Sequence, residues 1–195
     1  MMNKKTKIEI IIIMLCISLV AGQYLRYPQK ELPIQYVSGM NVINIENPKE
    51  VVGYGDYVFV ARIDEEIQNV HSSAEDLDPG IPMTTYSITV IDNLKGKIKK
   101  NTAIKFSKSG GISASSNMLT LLEGDTMLEE GEYYILVATG SHDGSIIQAA
   151  ATAANKLDVT SKEEIVSSQA YKDYKKYIKE EVKYKRPRYK SIYEE

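Results

Sequence analysis

The sequence predicts a mainly β domain, a small closed or partly open antiparallel barrel set between an apolar N-terminal helix and a basic amphipathic C-terminal helix. Three observations predict it. Between residues 37 and 159, short runs rich in Val, Ile, Tyr and Thr alternate with turn residues, the spacing of an all-β sandwich or barrel. Residues 10–25 carry no charge, with Lys4, Lys5 and Lys7 before them and Arg26 after them. Near the other end, Ser161 stands three residues before Glu164 and ahead of a Tyr/Ile stripe, the arrangement that opens a helix.

Residues 1–26 are the first element, and their basic start and apolar run form an export pattern. As a helix, residues 10–25 would span about 24 Å at about 1.5 Å per residue, short of a hydrocarbon core of about 30 Å. Lys7 and Arg26 can snorkel to close that gap, which favours a retained anchor. The alternative is a signal peptide cleaved near Gly22, after Val20 and Ala21. Cys16 follows Met14 and Leu15 inside the apolar run, so it reads as a small apolar residue of the helix and not as a lipid-attachment site. The remainder of the chain is therefore expected outside the cytoplasm, held at the membrane by a single anchor or secreted.

After a linker at 27–36, the barrel domain is expected over 37–159. Val42, Ile43 and Ile45 make the first β run. Asn47 as N-cap, Pro48 at the first helical position, Glu50 near the positive end and Gly53 as stop predict a short helix. Residues 57–63 alternate as a second strand that can continue toward Val70. A polar, acidic loop of a dozen residues follows at 71–82, and its length invites a functional reading. Residues 83–91 form a third strand, turning at Asp92, Asn93 and Gly96 into a strand over 97–106 that Gly110 and Gly111 break. Beyond a Ser-rich loop come strands at 119–122 and 133–138, a hairpin turn at Ser141, His142, Asp143 and Gly144, a strand at 145–148 and a last one at 156–159.

The order Val52-Gly53-Tyr54-Gly55-Asp56-Tyr57, then Thr84-Thr85-Tyr86-Ser87-Ile88, then Leu94-Lys95-Gly96, then Gly110-Gly111, then 128–137 resembles a group of exported, largely uncharacterised proteins of Gram-positive bacteria. The resemblance covers about residues 47–148 and implies a small barrel of the oligonucleotide- and oligosaccharide-binding (OB-like) type, with no catalytic residue or cofactor.

The C-terminal helix is expected over 160–184. Ile165, Tyr171, Tyr174, Ile178 and Val182 approximate one stripe, while Lys172, Lys175, Lys176 and Lys179 occupy much of the rest. Arg186 and Pro187 end it, and Tyr184, Tyr189 and Tyr193 fall in or beside a basic, Tyr-rich tail at 185–195, expected to be extended or disordered. Two readings of the segment stand open. The stripe packs on the barrel with a solvated lysine face, or the basic residues Lys172, Lys175, Lys176, Lys179, Lys183, Lys185, Arg186 and Arg188 meet an anionic membrane surface or cell-wall polymer.

Charge is polarised along the chain: residues 1–30 carry +4, residues 31–158 carry −9 and residues 161–195 carry +3, so the formal net of −2 is a cancellation. An acidic domain repels phosphates, which argues against nucleic acid as a partner. One Cys and two His exclude disulfide scaffolds, Cys-rich zinc sites and multi-His metal centres by count. His71 and His142 sit in turns beside Ser residues without a nucleophile elbow, so a Ser-His-Asp site is not expected. Glu75, Asp76 and Asp78 put hard oxygen ligands on one loop but lack the offsets of a calcium loop. The sequence points to a non-enzymatic module of the cell envelope that meets an anionic surface or an unidentified protein. A secreted hydrolase using rim carboxylates and a weak calcium-binding module at 71–80 are the alternatives, separable by whether two carboxylates share one cleft.

Overall fold

The computed structural model describes residues 32–39, 42–70, 81–113, 116–159 and 161–195. The predicted export helix, the acidic loop with Glu75, Asp76 and Asp78, and His71 lie outside the described residues. The elements of the unit Ile34–Glu195 are β1 (Ile34–Val37), α1 (Pro48–Tyr54), β2 (Tyr57–Val70), β3 (Met83–Lys95), β4 (Ala103–Ser109), β5 (Gly111–Ile112), β6 (Leu119–Leu122), β7 (Tyr133–Gly140), β8 (Ile146–Gln148), β9 (Ala154–Leu157), α2 (Lys162–Ser167) and α3 (Gln169–Lys179).

Five strands close into a barrel, in the order β2, β3, β4, β8, β7 and back to β2. Closure depends on the length and curvature of β2. Its first half pairs antiparallel with β7, from Tyr57 opposite Ala138 to Arg62 opposite Tyr133, while nearly its whole length pairs with β3. Four register shifts between β2 and β3 mark bulges, and bulges bend a strand enough to let one ribbon serve two sides of a ring. Every pairing in the ring is antiparallel except β4 with β8. β9 extends from β7, and a separate small sheet pairs β1, β6 and β5.

The barrel interior is filled. Phe59, Ile63, Tyr86, Ile88, Phe106, Leu136 and Ile146 are fully buried there, and Phe59 meets Phe106 edge to face at 6.4 Å between ring centroids. A second apolar cluster lies outside the ring. Val58 and Val60 of β2 and Ile135 and Val137 of β7 turn outward and are covered by Val51 and Val52 of α1, Ile165 of α2 and Tyr174 of α3. These strands are buried on both faces, which is why their sequences read as continuous apolar runs and not as clean alternation. By contrast β3 alternates half-buried and buried residues from Met83 to Val90, and only its far end, at Ile91, Asp92 and Leu94, meets the helix-covered cluster.

Several expected elements change. Val42, Ile43 and Ile45 lie in bends and turns and form no strand; the strand is the preceding Ile34–Val37, paired parallel to β6. Gly53 is not the helix stop, because α1 runs to Tyr54 and is capped at Gly55. Gly53 serves packing: a Cβ there would lie 2.0 Å from the carbonyl oxygen of Val182. β4 begins at Ala103 because residues 97–102 hold only an isolated bridge, from the fully buried Ile98 to Glu194, and a bend with Asn101 at φ 55°. The last strand runs two residues earlier than expected. The single C-terminal helix is two: Ser168 is extended, its amide caps α2 and its hydroxyl accepts from the amide of Tyr171 to start α3.

Among the described residues, no helix is long and apolar enough to cross a membrane.

Candidate functional site

The basic residues of the C-terminal segment separate into two groups. The first is a lysine face on α3. Tyr174 is buried against α1, Tyr177 packs on it in a T-shape at 5.7 Å, and the hydroxyl of Tyr171 donates to Asp92 at 2.6 Å. The expected stripe therefore packs on the barrel, except that Val182 lies beyond the helix and is 51% exposed. Lys172, Lys175, Lys176 and Lys179 project on the other side and are exposed, as are Lys183 and Lys185.

The carboxylates that dilute this charge in the sequence are turned to other partners. Glu180 pairs with Lys49 of α1 at 2.7 Å, Glu181 with Lys95 of β3 at 2.6 Å, and Asp173 accepts from Gln169 at 2.8 Å. The salt bridge to Lys49 holds the Glu180 carboxyl below the usual range. Glu180 and Glu181 are thus spent on cations of the barrel side, and the outward face of α3 keeps its positive sign.

Arg186 and Arg188 form the second group. Their guanidinium groups converge on the single carboxylate of Asp56, each at 2.7 Å. Arg186 also donates to the carbonyl of Tyr54 and stacks on its ring, and Arg188 donates to the carbonyls of Gly53 and Gly55. Asp56 accepts a further bond from the amide of Gly140. These two arginines fasten the tail to the barrel and share one carboxylate, so most of the outward charge of the segment resides in its lysines. Nothing in the sequence marked Asp56 as their partner, since more than a hundred residues separate them.

A third charged group was also unmarked. Lys108 on β4 is fully buried and pairs with Asp125 at 2.9 Å, donating as well to the carbonyl of Thr126. Burial lowers the Lys108 pKa and raises that of Asp125, since leaving water penalises both charged forms; the attraction between them opposes both shifts. Gln148 donates to Asp125 and to the carbonyls of Ala150 and Ala151, which fixes its amide orientation and leaves its buried Oε1 without a partner. A cavity of about 160 Å³ beside it is lined by Ser109, Leu122, Asp125, Gln148 and Ala149 through Ala151. A few waters fit there and would complete the amide.

The arrangement that would favour the hydrolase alternative, two carboxylates in one cleft, has a counterpart among the described residues. An open cleft of about 580 Å³ is lined by Arg62, Asp64, Glu132 and Tyr133, which brings two carboxylates to one concavity. Each already has partners: Asp64 is bound by Arg62 at 2.7 Å and by the Thr89 hydroxyl, and Glu132 lies 3.7 Å from Lys156. His142 packs its ring against Tyr189, while Asp143 caps its own turn by accepting from the amide and hydroxyl of Ser145, which hold its pKa down. No group of three or more His, Cys, Asp or Glu able to hold a metal occurs among the described residues.

What fold and surface define is a closed five-stranded β-barrel flanked by helices, with a lysine face on the outermost helix. The chain matches no known family's sequence pattern and no curated protein.

Proposed function

We propose that this protein is an extracytoplasmic, membrane-tethered binding module of the bacterial envelope, in which an OB-like barrel presents the α3 lysines to an anionic surface. The strand order β2, β3, β4, β8, β7, with the third and fifth barrel strands parallel, supports the OB-like connectivity. The apolar run at 10–25 behind three lysines supports the tether.

The observation that carries the reading is the sorting of charge on the C-terminal segment. Glu180 and Glu181 are paired with Lys49 and Lys95, Arg186 and Arg188 share the one carboxylate of Asp56, and Lys172, Lys175, Lys176 and Lys179 are left facing solvent. Phospholipid headgroups and acidic wall polymers share the chemistry this face recognises. The β3 and β4 face gives nucleic acid little support. On the β3 and β4 face, where barrels of this connectivity take their ligands, the outward residues Thr85, Ser87, Thr89, Lys105 and Ser107 bring hydroxyls and one charge, with no ring for base stacking.

The test uses the full chain held in nanodiscs of neutral lipid. Capture of anionic phosphatidylglycerol vesicles and of soluble anionic wall polymer is measured against ionic strength. Each lysine near a charged surface contributes about 1 kcal/mol, so K172Q/K176Q/K179Q should weaken capture roughly a hundredfold and flatten its salt dependence. Capture that ignores both salt and the substitutions would reject the proposal.

A further inference from the structure

We propose that residues 182–192 form an interfacial strip, an extended strap whose alternating lysine and large apolar side chains seat the domain on the headgroup layer of an anionic phospholipid bilayer. The inference rests on the anionic-surface reading above and names its source as lipid.

The strap has no helix or sheet of its own, yet its backbone is fixed along its length. The amide of Val182 donates to the carbonyl of Lys49, that of Ser191 to the hydroxyl of Tyr57, and that of Ile192 to the carbonyl of Gly144. Between these points Arg186 and Arg188 clamp onto Asp56. The barrel is shaped to receive it. A Cβ on Gly140 would lie 2.1 Å from the carbonyl oxygen of Tyr189, and one on Gly144 would lie 2.6 Å from the Ile192 side chain.

Fixing the backbone this way leaves large apolar side chains in water. Tyr184 is 40% exposed, Tyr189 41% and Ile192 64%, in addition to Val182. Lys183, Lys185 and Lys190 stand exposed among them. Lys97 and Lys99, also exposed, adjoin the strap's end, where Tyr193 accepts from the amide of Lys99 and Glu195 donates to Lys97. Lysines alone would suit any polyanion. Exposed Val, Ile and Tyr gain nothing from a soluble polymer, whereas the boundary of a bilayer offers both phases at once: acyl carbon for the aliphatic groups, a wet polar layer for the phenols, and negative charge for the ammonium groups. Because the strap is held rigid, little conformational entropy remains to be lost on seating.

The chain contains no Trp, so a single introduced Trp reports its own position without background. Tyr189→Trp and Ile192→Trp are each made in the full chain, held in neutral nanodiscs and titrated with phosphatidylglycerol vesicles. The expected result is a blue shift with the anionic vesicles and quenching when their acyl chains carry bromine, with neither for neutral vesicles. V182S/I192S should lower vesicle capture about tenfold while leaving wall-polymer capture unchanged. Vesicle capture that depends on Lys172, Lys176 and Lys179 while the Trp emission stays water-like overturns the strip and leaves the lysine reading intact. A blue shift produced by soluble wall polymer and not by vesicles overturns the assignment to lipid. Loss of both vesicle and polymer capture in the unsubstituted chain overturns both readings.

Discussion

Lys108 and Asp125 form a pair whose members depend on each other far more than the fold depends on the pair. Both are buried, so the fold bears the desolvation of two charges, and their contact at 2.9 Å offsets part of it. Lys108→Met strands a buried carboxylate that retains only the Gln148 amide and the amide of Thr126. Asp125→Val strands a buried ammonium that retains only the carbonyl of Thr126. Each single change should cost about 3–5 kcal/mol, the usual cost of orphaning one buried charge. For a domain of this size that lowers the melting temperature by roughly 6–20 °C.

The double variant removes both charges and leaves the Thr126 amide and carbonyl as the main unmet groups, worth about 1–3 kcal/mol each. It should therefore cost about 2–6 kcal/mol, where additivity would require about 6–10. Urea titrations and far-UV circular dichroism melts of the four proteins give the coupling directly. The sign of the pH dependence supplies a second arm. In Lys108→Met the folded Asp125 has its pKa raised by burial, so the folded state binds a proton more readily than the unfolded one, and stability falls as pH rises through the folded value. The deficit of this variant against the parent should shrink as pH drops from about 7 toward about 4. Additive costs, or a deficit that grows in acid, would refute the mutual-dependence argument.

The strap supplies another expectation. Asp56→Ala removes the acceptor of both arginines, and Gly140→Ala drives a methyl into the carbonyl of Tyr189; either should free the tail and speed tryptic cleavage after Arg188, since bonds to charged groups contribute about 1.5–3 kcal/mol each. Protection equal to the parent's in a proteolysis time course would count against the clamp. The phenols give a third. Tyr171 and Tyr174 have their pKa pushed up to about 12, chiefly by burial, and for Tyr171 also by its bond to Asp92. Their folded values exceed the unfolded value near 10, so the stability they contribute is complete below about pH 10 and is lost as pH rises from there through about 12. A tyrosinate absorbance titration should show late-ionising phenols in the folded chain that ionise near 10 in denaturant, and Tyr171→Phe should remove one.

What the sequence conveyed and what it withheld follow one physical division. Features written in neighbouring residues were legible. Asn47 before Pro48 caps α1, Ser161 accepts from the amide of Glu164, and the apolar runs through Val58 and Ile135 are strands. The lysine face was legible for the same reason, since helical spacing alone puts Lys172, Lys176 and Lys179 together. Features that require two distant segments to meet were not. Asp56 was one of 18 acidic residues between 31 and 158, and only closure of the barrel sets it under Arg186 and Arg188. Lys108 read as an ordinary strand lysine until β4 and the turn at Asp125 brought it a partner. Ile34–Val37 was hidden because its side chains are mostly exposed and its pairing is with β6, some eighty residues on. The same division explains the tail. Its composition of Tyr, Lys and Arg reads locally as a solvated end, and every contact that pins it comes from elements at least forty residues away, apart from the bonds it makes within itself. Sequence composition registers the charge of such a segment but not which charges have been used up inside. For a surface proposed to act through charge, that remainder is the quantity to test, and here it consists mostly of lysines.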